Sequence, residues 1–251
     1  MRTIHVIGIG VGSIEMLTLD AIEHLRQCDI VIALDKGEAK ADLLALRRNI
    51  VDKFAPEIDI ISVLDPERDR NPQDYTAEVK KWHEMRAQKL AEAIVQHSAA
   101  TATIGFLVWG DPALYDSTLR IIDTMKRDCG LEAQVVVVPG ITAFQALTAA
   151  HAIPLNRIGE PIVISTARKL ATLSAQDRSN CVVMLDGAHA WLDSYTHHTY
   201  IWWGAYLGSK QQIIREGYVH EIGQELAQLK AQLRREHGWI MDTYLLRELS
   251  C

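Results

Sequence analysis

The sequence predicts an α/β protein of two domains, an N-terminal one on a parallel sheet and a C-terminal one on a mixed sheet. Three observations predict it. Short β-branched runs alternate with amphipathic helical stretches as far as Val138, the pattern of parallel strands joined by helices. Several of those runs end in turn residues: the glycines after Ile7, Asp35-Lys36, Gly110-Asp111-Pro112 and Pro139-Gly140. Beyond them "GSKQ" joins two runs closely enough for an antiparallel hairpin. The expected domains are 1–139, carrying a glycine loop and a Gly-Asp-Pro motif, and 140–251.

Each element has its own signal. Thr3–Gly8 is a β-branched strand, and Thr18 caps a helix with Leu19, Ile22 and Leu25 on one face. "DIVIALD" (Asp29–Asp35) is a second strand. Asp42–Phe54 is a helix lined by Leu43, Leu46 and Ile50, and Ile58–Leu64 is a third strand. Asp65–Asp74, with two prolines and many charges, is an exposed loop and a candidate lid. A long helix over Thr76–Gln96 carries Val79, Trp82, Leu90 and Ile94 in phase. Thr103–Trp109 is a strand, Tyr115–Cys129 a helix stopped by Gly130, and Gln134–Val138 a strand. In the second half Pro161–Thr166, Asn180–Leu185, Tyr200–Leu207, Gln212–Ile222 and Trp239–Leu249 read as strands, and Gln224–Glu236 as a helix with Leu226, Leu229 and Leu233 together.

Composition narrows the function classes. At 251 residues with 48% hydrophobic content the chain can bury a real core in one or two domains. A net charge of -6 speaks against nucleic acid as a partner. The four scattered cysteines lack CxxC spacing, so they read as reduced thiols of a cytoplasmic protein. The opening apolar run is too short for a signal peptide, and no membrane span is expected. Ten histidines show no HExxH-like spacing, and His197-His198 on a strand would face opposite ways, so no metal is expected.

The stretch Val108–Ser117, "VWGDPALYDS", reads as a site. A buried strand needs only a turn to leave the core, yet this one ends in a bare residue, a carboxylate and a rigid ring. Parallel sheets bind ligands at their strands' carboxyl ends, where this motif and its companions fall. "GIGVGS" (Gly8–Ser13) invites a nicotinamide-dinucleotide reading, with Asp35 as the ribose acid. Its spacing is G-x-G-x-G, and "SIEML" separates the turn from the helix near Thr18, so the helix dipole sits away from any pyrophosphate. A non-catalytic binding protein is the other rival.

"VIGIGVGSIEMLTLDAIEHLRQCDIVIA", "GDPALYDSTLRI" and "VVVVPGITAFQALTAAHAIPL" occur in that order. Their succession resembles the tetrapyrrole methylases, S-adenosyl-L-methionine-dependent enzymes of cobalamin and sirohaem synthesis. "LDKGEAKADLLALRR", "WGDPALYDSTLR", "IPLNRIG" and "IMDTYLLR" look like the branch that methylates carbon 1 of precorrin-5 and releases acetate, with a methylase of the same fold acting on a different precorrin or on uroporphyrinogen III as the alternative. Asp116 stands where the family norm is closer to glycine. The resemblance implies two α/β domains with the cofactor in a cleft between them, and a homodimer. It carries cofactor contacts to Val11, Gly110, Asp111, Leu114, Thr142 and Ala143, and further to Leu185 and Ala205.

The implied chemistry asks little more of the protein than positioning. Holding a nucleophile and a methyl group in line contributes about 7–11 kcal/mol. Gly110 lets backbone approach a ligand, Asp111 offers acceptors to a cationic group or caps a helix, and Pro112 fixes the turn. Releasing an acetyl group as acetate needs a water and benefits from a general base. Asp116, Tyr115 and His151 are the candidates, in that order, and Asp116 at a helix start has a dipole role as its alternative. The substrate's many carboxylates call for cations, for which Lys36, Arg47, Arg157 and Arg168 are placed. The tryptophans read as core or interface, and Ser13 and Ser165 lack a base partner.

Overall fold

The computed structural model describes residues 1–35, 37, 41–69, 72–238 and 240–249. The chain forms two compact units, Met1–Ile141 and Thr142–Cys251.

The first unit alternates strand and helix: β1 (Arg2–Gly8), α1 (Leu19–Arg26), β2 (Ile30–Asp35), α2 (Ala41–Phe54), β3 (Asp59–Leu64), α3 (Tyr75–His97), β4 (Thr103–Val108), α4 (Thr118–Asp128) and β5 (Ala133–Val138). The strands lie in the order β3-β2-β4-β1-β5, and every pairing is parallel. Helices cover both faces, so the central strands are apolar on both sides. Ile4, Val6, Ile104, Phe106 and Val108 pack with Leu90 and Ile94 of α3 and Ile122 of α4. The alternate residues Ile7, Val31 and Leu107 pack with Leu25 of α1 and Ile50 of α2.

The second unit contains α5 (Ala143–His151), β6 (Val163–Thr166), α6 (Ala167–Leu170), α7 (Ala175–Arg178), β7 (Asn180–Met184), β8 (Thr199–Ala205), β9 (Ile213–Tyr218), α8 (Val219–His237) and β10 (Asp242–Glu248). Its sheet runs β6-β7-β10-β8-β9 and is mixed: β6 and β7 are parallel, and the other three pairings antiparallel. β8 and β9 form the hairpin that "GSKQ" predicts. Trp191, Trp203 and Tyr244 are wholly buried at its centre, among Val183, Ile201, Leu226 and Leu233.

The structure corrects the sequence reading at five places. Leu19 is 83% exposed, and Ala21 and Leu25 carry the buried face of α1 instead, because Leu19 occupies the first turn beside its cap. Tyr115 and Asp116 precede α4, with Tyr115 at φ 52, a conformation no helix accepts. The run Gln212–Ile222 stops being strand at Tyr218, and α8 starts at Val219, five residues before the expected Gln224. His197 and His198 sit in a turn before β8, where His197 stacks on His220 with ring centroids 4.0 Å apart. The two ends of the expected Asp65–Asp74 loop are held against α3 and not simply exposed: Asp65 accepts from Nε and Nη2 of Arg86, Trp82 Nε1 donates to Pro66 O, and Asp74 caps the helix.

Candidate active site

Parallel pairing brings the carboxyl ends of β1, β4 and β5 together, and three glycines meet there. A methyl group on Gly8 would lie 2.6 Å from Gly140 N and 2.9 Å from Gly110 O, and one on Gly140 would run into the Gly110 carbonyl oxygen. Only main chain without side chains can pack this closely. Gly10 and Gly110 exchange backbone hydrogen bonds of 3.2 and 2.8 Å, which zips the β1 and β4 loops together. Asp111 completes the junction: its Oδ1 accepts from Ala113 N at 2.7 Å and its Oδ2 from Gly140 N at 2.9 Å.

One side of this junction is open. A Cβ on Gly110 would touch nothing closer than Val11 Cγ1 at 3.8 Å, and φ is +70. Val11 is buried beneath it, and Leu114 is half-buried on the loop, its N–H donating to Asp111 O. A bare peptide edge with an apolar floor suits a flat nucleoside and its amino-acid chain, so these residues fit the cofactor that the resemblance implies. Tyr115 follows, 42% exposed and in the left-handed region. Such a conformation costs about 1–3 kcal/mol.

In the second unit, Thr142 begins α5 with a capping box: its hydroxyl accepts from Gln145 N, and the Gln145 side chain accepts from Thr142 N. Ala143 is the first helical residue, so its own N–H needs a partner from outside the helix. Leu185 follows β7 with φ 56 and 61% exposure, and Ala205 ends β8, fully buried. Tyr206, next to it, is again left-handed, at φ 50.

Beneath Leu185 lies a buried ionic network that sequence reasoning missed. Lys230 Nζ of α8 donates to Asp186 O at 2.7 Å and to Asp242 Oδ2 at 2.8 Å. Trp203 Nε1 donates to the same Asp242 oxygen, and Tyr244 OH donates to Asp186 Oδ2. Burial pushes the Asp242 carboxyl above its ordinary range, against the pull of Lys230. Burial likewise raises the Tyr244 phenol, helped by the Asp186 charge. A signal was available: Lys230 stands in phase with Leu226 and Leu233, a charged residue in an apolar stripe.

The remaining candidates separate. Asp116 accepts from Thr118 N at 2.6 Å through Oδ1, ahead of α4 rather than within it. Arg47 Nε donates to Leu107 O at 2.8 Å, and both Arg47 and Asp116 line one cavity in the first unit. Burial lowers the Arg47 guanidinium from its ordinary range, and the Asp116 charge opposes that shift. His151 is held inside the second unit, Nδ1 3.0 Å from Glu216 Oε2 and Nε2 3.1 Å from Trp203 O. Arg157 is tied to Glu160 and to the Glu248 carbonyl. Arg168 is exposed at the carboxyl end of β6, and Lys36 lies outside the described residues. Among the described residues, no three metal-ligating side chains gather, and no helix is long and apolar enough to cross a membrane.

A profile of the family Tetrapyrrole (Corrin/Porphyrin) Methylases matches residues 3–223. A protein of Sinorhizobium sp named precorrin-6A synthase [deacetylating] is 38% identical, covering 99% of this chain and 96% of its own. A second Sinorhizobium protein, a precorrin-2 C(20)-methyltransferase, is 26% identical over 59% of this chain and 58% of its own. The crystal structure of a Corynebacterium diphtheriae protein described as related to cobalamin synthesis (CobF) is 57% identical over the whole of both chains, with TM-score 0.90.

Proposed function

Because this chain belongs to the tetrapyrrole (corrin/porphyrin) methylases, we propose that it methylates precorrin-5 at carbon 1 and releases acetate, forming precorrin-6A. The observation that carries this reading is the end-to-end match to a deacetylating synthase, where the relative with another substrate aligns over little more than half the chain. When bound, S-adenosyl-L-methionine supplies an electrophilic methyl group with a good leaving group already attached.

The residues' work is to hold and exclude. Val11, Gly110, Asp111 and Leu114 in the first unit, with Thr142, Ala143, Leu185 and Ala205 in the second, are the proposed cofactor contacts. Gly110 and its neighbours offer main-chain groups at a bare edge, and Asp111 keeps that edge in shape through Gly140. Arg168, exposed past β6, is the proposed partner of a substrate carboxylate. Asp116 is the proposed base for the acetyl group, ahead of Tyr115. His151, with a carboxylate and a carbonyl beside its two nitrogens, is the third candidate for that role. The reading includes a homodimer acting in the cytoplasm.

Incubation with precorrin-5 and methyl-labelled cofactor tests it, with product mass and acetate both followed. Methylated, acetyl-free product is expected. Methylation that leaves the acetyl group in place assigns the chain to another step. Calorimetry with S-adenosylhomocysteine and with NAD separates a methylase from an oxidoreductase, and sedimentation reads the dimer.

A further inference from the structure

β10 lies between β7 and β8 in the second sheet, and its first residue, Asp242, stands where both neighbours end. Asp242 pairs with Ala205, and Thr243 pairs with Met184, one step short of Leu185. Leu185 and Ala205, the proposed cofactor contacts on these two strands, therefore flank one position of the sheet. The backbone turns left-handed at both ends: Leu185 has φ 56, and Tyr206, directly after Ala205, has φ 50. A residue other than glycine keeps such a conformation only where its surroundings fix it.

α8 supplies the fixing groups. Lys230, Arg234 and His237 follow one another at spacings of four and three, which puts them on one stripe of the helix. Lys230 is buried, and its Nζ donates to the Asp186 carbonyl at 2.7 Å and to Asp242 Oδ2 at 2.8 Å. A single ammonium group thus ties the residue after Leu185 to the residue paired with Ala205. Arg234 Nη1 donates to Gly187 O at 3.4 Å, and the His237 ring meets the Tyr206 ring edge-on, with centroids 5.4 Å apart. Asp186 winds its loop from within, its two carboxylate oxygens accepting from Ala188 N and Ala190 N. Tyr206 N donates to Met241 O at 2.9 Å, which closes the other turn against β10. Apolar side chains of similar volume would fill this space with equal or better stability. They would not hold two backbone turns by directed hydrogen bonds.

We propose that Lys230 is a positioning residue for the cofactor: through Asp186 O and Asp242 it holds Leu185 and Ala205 in place for S-adenosyl-L-methionine, an inference that rests on the contacts proposed above. Lys230 acts through the backbone it grips and not by touching the ligand. Trp203 Nε1 donates to the same Asp242 oxygen and keeps that carboxylate aimed at the ammonium group. With both strand ends fixed in advance, little ordering is left for binding to do, and affinity gains accordingly.

Calorimetry of the full chain with S-adenosylhomocysteine tests this, with urea unfolding of each variant measured alongside. Lys230→Met/Asp242→Asn removes both charges together and leaves Asp186 its three other donors. Its dissociation constant is expected to rise at least about tenfold, the loss of a charged hydrogen bond. Asp242→Asn alone changes no volume, is expected to raise the constant about threefold, and decides the matter if the double variant does not fold. Leu246→Ala opens a void at the other end of β10, away from both loops. It is expected to lower the urea midpoint at least as far, yet to leave the dissociation constant within about twofold of wild type. At saturating precorrin-5, KM for S-adenosyl-L-methionine should rise in the double variant by a larger factor than kcat falls, a split that loosened packing alone does not give. An unchanged dissociation constant in the Lys230 and Asp242 variants, or an equal rise in Leu246→Ala, overturns the positioning role. Wild-type protein that fails to bind S-adenosylhomocysteine overturns the underlying reading instead, and is seen before any variant is compared.

Discussion

Asp111 and Gly140 are joined across the end of a sheet: the Asp111 carboxylate accepts from the Gly140 N–H at 2.9 Å while its other oxygen turns its own loop at Ala113. One side chain thus sets the shape of two loops separated by β5 and α4. Asp111→Ala strands the Gly140 donor, and about 1–3 kcal/mol of stability is expected to go with it. Urea unfolding reads that loss, and calorimetry with S-adenosylhomocysteine is expected to show weaker binding from the same change.

Gly140 and Gly110 invite a paired comparison. Gly140→Ala drives a methyl group into the Gly110 carbonyl, and should prevent folding or lower the unfolding midpoint severely. Gly110→Ala meets open space and carries mainly the left-handed strain, about 1–3 kcal/mol. Its larger effect is expected on ligand affinity, because the added methyl occupies the proposed cofactor edge. Equal affinity in Gly110→Ala and wild type would remove that edge from the proposed site.

Lys230→Met leaves two buried carboxylates without their cation. A loss of about 3–5 kcal/mol is expected in chemical denaturation. Adding Asp242→Asn should recover part of it, since Asp186 keeps Ala188 N, Ala190 N and Tyr244 OH as donors.

Stability should also depend on pH through His5, which is 5% exposed with Nδ1 3.1 Å from the His24 carbonyl. Burial lowers its pKa from 6.5, with the carbonyl opposing and the His24 charge assisting. The folded state therefore binds a proton less readily than the unfolded chain. Its contribution is full above about pH 6.5 and is lost as pH falls through the lowered value. Urea midpoints taken from pH 8 down to 5 should fall more steeply for wild type than for His5→Phe.

The thiols offer a chemical check. Burial pushes Cys28 and Cys181 up to about 12, which leaves almost no reactive thiolate near neutrality. In a Cys129→Ser/Cys251→Ser variant, a disulfide reagent should label nothing until urea unfolds the chain.

Much of the fold was legible because it repeats a local rule. Runs such as "DIVIALD" and "QVVVV" can only be buried strands, and Thr18 caps α1 as a threonine before an apolar period should. The glycines at Gly8, Gly110 and Gly140 showed where bare backbone would gather, though not that they touch each other. What stayed hidden depends on partners distant in sequence. Arg47 read as a cation for substrate carboxylates because nothing nearby shows that β2 and β4 part beside it. Asp116 read as a first-turn residue because the left-handed step at Tyr115 leaves no local mark. Lys230 and Arg86 were missed too, although each is a charged residue in helical phase with apolar neighbours, a periodicity that was there to be read.

β1 has a consequence for how the polypeptide matures. It leads the sequence, yet Thr3 pairs with Thr103 and Arg2 with Ala133. During translation its isoleucines must wait for most of the unit to emerge before either flank is covered. Sheets closed by such remote segments assemble slowly. Within its unit the first ribbon is thus among the last to be sheltered, and its open edges stay available for pairing until then.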